Sequence, residues 1–152
     1  MTISRVLIIS VCVLFLSGFI GDSNHSKGNL NYSITWEDSF SKSEKQKVAT
    51  WLDGVSKAIV KTLGKYPFQV NYSIYRRNNN REPVPWANTT RGAEQGVNFH
   101  VEPSFSLSAF QMDWTAAHEF SHLSIPFVGR SNMWFSEGYA TFMQVQIMHQ
   151  QG

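Results

Sequence analysis

A chain of 152 residues, 42% hydrophobic and 14% aromatic, is long enough to bury one core and too short for two. That composition excludes a disordered chain, and a formal net charge of +2 excludes the strong basic field expected of a nucleic-acid binder.

The chain opens on Arg5 and an apolar run over residues 6–16 that continues weakly through Ser17, Gly18, Phe19 and Ile20. This is the form of a secretory signal. Residues 1–21 are therefore expected to be a signal peptide or N-terminal anchor, and residues 22–31, small and polar, a linker. Counted over residues 6–21 the stretch has 16 residues, just short of the roughly 17 to 25 of a membrane helix. Cleavage near residues 18–21 is expected, with a membrane tether through residues 6–20 as the alternative. The only cysteine, Cys12, lies inside the run, so the exported part can form no disulfide. That suits a protein of the bacterial periplasm, or a secreted one, that does without bridges.

Residues 32–152 are expected to form a single α+β domain. Tyr32, Ile34 and Trp36 alternate with Ser33 and Thr35, the period-two pattern of a half-buried strand. Ser41 and Glu44 have capping-box spacing and open a helix, along which Val48, Leu52, Val55, Ile59 and Leu63 form one apolar stripe before Gly64 ends it. Phe68, Val70, Tyr72 and Ile74 alternate with polar neighbours and predict a second strand. Residues 76–93, polar and broken by Pro83 and Pro85, read as a loop with Arg76, Arg77 and Arg81 in solvent. Val97, Phe99 and Val101 predict a third strand that stops before Pro103.

Ser104, Ser106 and Ser108 then offer N-caps for a helix that Pro126 terminates. Phe110, Trp114, Ala117 and Ile125 are expected to supply its buried side. A final helix, capped by Ser131 or Asn132 and running to about residue 149, is apolar almost all round. It is expected to be buried or to lack a partner. The predicted architecture is a mixed or antiparallel sheet on a backing helix, followed by these two helices.

The first of them carries His118-Glu119-Phe120-Ser121-His122. Residues four apart share one face of a helix with a rise of roughly 6 Å, so the two imidazoles can grip one metal ion. Zinc suits such a pair, because it takes nitrogen ligands at about 2.0 to 2.1 Å and keeps an open position in catalytic sites. Glu119 is turned about 100° from His118 and flanks the metal, where a general base belongs. Zinc lowers the pKa of its water to about 7, within reach of such a carboxylate. A third ligand is required, and Glu137 on the next helix is the candidate. A carboxylate buried among Trp134, Phe135 and Tyr139 would be costly unless paired or bound to metal. Gly138 is expected to let the two helices approach closely.

With Trp134-Phe135-Ser136-Glu137-Gly138-Tyr139-Ala140 downstream of the His-Glu-x-x-His string, the chain resembles the gluzincins, zinc peptidases whose third ligand is a glutamate on the following helix. It looks especially like the aminopeptidase and peptidase-MA-like branches. Ile125 and Val128 stand where the metzincins need a glycine and a third histidine. The resemblance implies a small zincin-type domain that binds one zinc ion through His118, His122 and Glu137. It implies Glu119 as the base and a peptide or protein as substrate. In that family the last strand before the metal helix forms the upper rim of the cleft and pairs with extended substrate. Residues 97–101 are assigned that role, with Val97, Asn98 and Phe99 as substrate contacts. Gly92-Ala93-Glu94-Gln95 resembles a degenerate amine-binding motif of the aminopeptidases, so Glu94 is a further substrate-binding candidate. The larger gluzincins supply an oxyanion group from a later subdomain; Tyr139 and Tyr75 are the candidates here. The alternatives are a catalytically weak, zinc-stabilised binding or regulatory module, and a membrane-tethered interaction domain.

Overall fold

The computed structural model describes residues 30–151; the expectations for residues 1–21 and for most of the linker lie outside them. The elements run β1 (Tyr32–Trp36), α1 (Lys42–Leu63), β2 (Val70–Arg76), β3 (Trp86–Thr90), β4 (Gln95–Val101), α2 (Leu107–Met112), α3 (Thr115–Leu123) and α4 (Met133–Gln151), the last entered by a 3-10 turn over Arg130–Asn132. The fold is α+β. Its four strands lie in the order β1-β2-β4-β3, with β1, β2 and β4 parallel and β3 antiparallel at the edge.

Helix α1 forms for the reasons visible in the sequence. The Ser41 side chain accepts from Glu44 N–H at 3.3 Å, and the Glu44 carboxylate accepts from Ser41 N–H at 2.8 Å, which satisfies two otherwise orphaned donors of the first turn. The apolar stripe at Val48, Leu52, Val55 and Ile59 is fully buried. Its opposite wall is the sheet, where paired residues point the same way. One row runs Ile34, Tyr72, Val97, Thr89 and the next Trp36, Ile74, Phe99, Ala87. Trp51, Phe99, Phe110, Tyr72 and Phe120 meet between these layers, with ring centroids 5.2 to 6.2 Å apart in tilted and edge-on pairs. Each large apolar side chain buried there contributes about 1.5 to 3 kcal/mol relative to exposure. Gly96 is required by close approach, since a Cβ at that position would overlap the Asn71 carbonyl oxygen of β2.

Several expectations are corrected. Residues 76–93 are not all loop, because Trp86–Thr90 is a strand; Ala87 is its one buried residue, so no apolar alternation announced it. Arg76 is not a loose loop cation. Its guanidinium holds both Glu44 carboxylate oxygens, at 2.9 and 3.0 Å, and ties the end of β2 to the start of α1.

The helix expected before Pro126 is two helices, α2 and α3. Asp113 is extended between them (φ −77°, ψ 129°), and its Oδ1 accepts from Thr115 N–H at 2.8 Å. Trp114 is consequently half exposed rather than buried.

Helix α4 is not buried on every side. Ala140 and Ile147, seven apart, face the core, while Trp134 and Phe142 are 75% and 62% exposed. Among the described residues no helix is long and apolar enough to cross a membrane.

Candidate metal centre

Phe120 orients the whole site. Its ring is fully buried and packs on Tyr72 and Phe99 at 5.2 and 5.8 Å. Tyr66 Oη donates to the Phe120 carbonyl at 2.6 Å. Residues two positions either side of Phe120 stand about 160° round the helix from it. His118 and His122 therefore leave the core together and face α4, each with a side chain 12% exposed.

Glu137 meets them from the first turns of α4. His118 Nε2 lies 3.2 Å from Glu137 Oε2, and His122 Nε2 lies 3.6 Å from Glu137 Oε1. The ligand atoms of the three residues all lie within 4.8 Å of one another, a group that could hold a metal ion. The outer nitrogens are also occupied. His118 Nδ1 faces the Gln144 side-chain oxygen at 3.2 Å, and His122 Nδ1 faces Ser136 Oγ at 3.0 Å. The Gln144 oxygen is an acceptor, so it matches the tautomer with the proton on Nδ1, the one that leaves Nε2 as a ligating nitrogen on the Glu137 side. Burial pulls the His122 pKa below its ordinary value, against the opposing pull of Glu119 and Glu137; a neutral imidazole is the form that ligates.

Glu137 itself is half exposed, with Trp134 and Phe135 turned to solvent. The expectation that apolar neighbours would bury it was mistaken, and its case as a ligand rests on convergence with the histidines. Gly138 does not mediate close helix approach either, since a Cβ there would meet open space.

Glu119, His122, Ser136 and Glu137 line one cleft of about 770 Å³, whose other walls are Trp86, Ala87, Asn88 and Thr89 of β3 and the turn bearing Phe127 and Val128. Thr89 Oγ1 lies 2.8 Å from Glu119 Oε2 and 3.0 Å from the Glu119 carbonyl oxygen. Arg91, just past β3, donates to the carbonyls of His122 and Ile125 and so closes the C-terminal end of α3.

The strand that lines the cleft is β3, not β4. Strand β4 is paired on both sides, to β2 and to β3, so it has no free backbone edge for an extended peptide. Val97 and Phe99 are fully buried. Asn98 points to the sheet face away from the helices, in register with Ser73 and Asn88. Glu94 is exposed in the turn between β3 and β4 and accepts from Asn71 Nδ2 at 3.1 Å, bonded to a strand neighbour rather than set in the cleft.

Neither tyrosine considered for the oxyanion is placed for that role. Tyr139 Oη is bonded to Ser124 Oγ at 2.8 Å, and Tyr75 stacks on His100 with centroids 4.8 Å apart, in the outward-facing row of the sheet.

Sequence reasoning missed Gln144, Ser136 and Thr89. Gln144 stands seven positions after Glu137, on the same face of the helix, and that spacing could have found it. Comparison of the chain with protein-family models, with curated proteins and with solved structures returns no match.

Proposed function

We propose that this protein is a zinc-dependent peptidase of the gluzincin type, with Glu119 as general base. One observation carries the reading: two helical histidines and a glutamate from the next helix converge at 3.2 and 3.6 Å, with Glu119 in the same cleft. His118, His122 and Glu137 would hold the zinc ion, which would supply Lewis acidity and make water a stronger acid near neutral pH. Glu119 takes the proton of the attacking water and returns it to the leaving amine. Among the described residues β3 pairs only with β4, so its outer backbone edge is free to take an extended peptide by strand addition. That gives β3 the role the family resemblance had suggested for β4. The apolar run over residues 6–16 supports export, with a membrane tether if the segment is retained.

The test is to measure bound zinc and peptide cleavage for the purified protein and for Glu119→Gln. The expected result is one zinc per chain in both, with cleavage by the variant lower by about 10²- to 10⁴-fold. Substoichiometric zinc in metal-replete buffer would sink the metal assignment. A second reading draws on the positions of Tyr75 and Tyr139, neither of which serves the cleft: a zinc-stabilised binding module that does not turn over. Full zinc with equal residual activity in both proteins would favour it.

A further inference from the structure

We infer that Thr89 is a positioning residue for Glu119, holding the carboxylate at one place in the cleft. The inference rests on the proposed role of Glu119 as base. Thr89 belongs to the sheet row Ile34, Tyr72, Val97, Thr89, so its side chain rises from the edge strand toward α3. There Oγ1 is within hydrogen-bond distance of two oxygens of one residue, Glu119 Oε2 at 2.8 Å and the Glu119 main-chain oxygen at 3.0 Å.

A hydroxyl has one proton and two lone pairs. Donated to Oε2, the Thr89 proton fixes that oxygen and leaves Oε1 for the water; the main-chain oxygen at 3.0 Å is the second acceptor within reach, on the same residue.

Residue type and location both suit this task. A β-branched side chain has few χ1 options, and β3 is hydrogen bonded along its length to β4. An unheld glutamate, by contrast, spreads over several staggered rotamers. Because β3 is also an edge strand, a peptide bound along it would lie against the strand that holds the base.

Zinc-loaded full chain carrying Thr89→Val, which keeps the shape and removes the hydroxyl, is compared with Thr89→Ser, which keeps the hydroxyl. The expected result for Thr89→Val is kcat lower by about tenfold, with KM and zinc content close to those of the parent. Thr89→Ser should recover most of the loss. Crystal structures of both variants give a readout independent of turnover: the Glu119 carboxylate leaves its place in Thr89→Val and keeps it in Thr89→Ser. Parental kcat with Glu119 undisturbed in Thr89→Val would overturn the inference, as would equal impairment of the two variants. If the zinc-loaded parent cleaves no peptide, the peptidase reading fails, and the Glu119 positions in the two crystal structures still decide the role of Thr89.

Discussion

His118 Nδ1 lies 3.2 Å from the Gln144 side-chain oxygen, a contact between α3 and α4 on the opposite side of the ring from the nitrogen that faces Glu137. The same helix therefore carries Glu137 and Gln144 on one face, two turns apart, each against a different nitrogen of the His118 ring. A partner behind a histidine orients it and selects the nitrogen that can ligate.

Gln144→Leu removes the acceptor while keeping a helix-forming side chain of similar bulk. The expected result is zinc affinity weaker by about tenfold, the low end for loss of a partner behind a histidine ligand. Helix content by circular dichroism should not change. Competition against a chelator of known affinity measures it, and unchanged affinity would show that the Gln144 contact does not prepare His118.

How far the site could be read from the chain depended on what signals each residue's role. The convergence of His118 and His122 was legible because helix geometry alone puts the two on one face. Glu137 was legible as a carboxylate one helix further on, but the argument for it was wrong: Trp134 and Phe135 turn outward and do not bury it. An apolar helix with little periodicity does not disclose which side meets the core, and α4 buries only Ala140 and Ile147. Strand β3 was not legible, because an edge strand with one wet face and one free edge needs few apolar residues. Ala87 is its single buried position, and Trp86, Thr89 and Thr90 were its only strand-forming signal. Once β3 was missed, the cleft rim was assigned to the nearest visible strand, β4.

The capping box of α1 carries a pH dependence. Hydrogen bonds from Arg76, then the backbone N–H of Ser41, hold the Glu44 pKa down to about 2 from an ordinary 4.5. A carboxyl whose pKa is lower folded than unfolded stabilises the fold fully above the unfolded value. It loses that contribution as pH falls from about 4.5 toward 2. Glu44→Gln is therefore expected to be less stable than the parent at pH 7 by about 1 kcal/mol, the upper end for an exposed ion pair. The difference should shrink below pH 4.5 and vanish near pH 2. Urea midpoints of both proteins across that range measure it; a difference that stays constant with pH would reject the Glu44–Arg76 pair as its source.

Gly138 gives opposite expectations under the two ways of reading it. As a residue that lets two helices approach, it should not tolerate a side chain. In the structure it is exposed on α4, and a Cβ built there has nothing within 4 Å. It is also absent from the positions of positive φ, which are Gly64, Gly92, Gly129 and Asn79 among the described residues. A glycine in a helix at ordinary dihedrals loses more backbone freedom on folding than alanine does. Gly138→Ala is accordingly expected to stabilise the protein by about 0.5 to 1 kcal/mol, without changing zinc affinity. Urea unfolding and chelator competition on the same preparation read both quantities. A loss of stability would reject the open-space reading, whereas weaker zinc binding at unchanged stability would mean that the glycine serves the neighbouring ligand, Glu137, rather than the packing of the two helices.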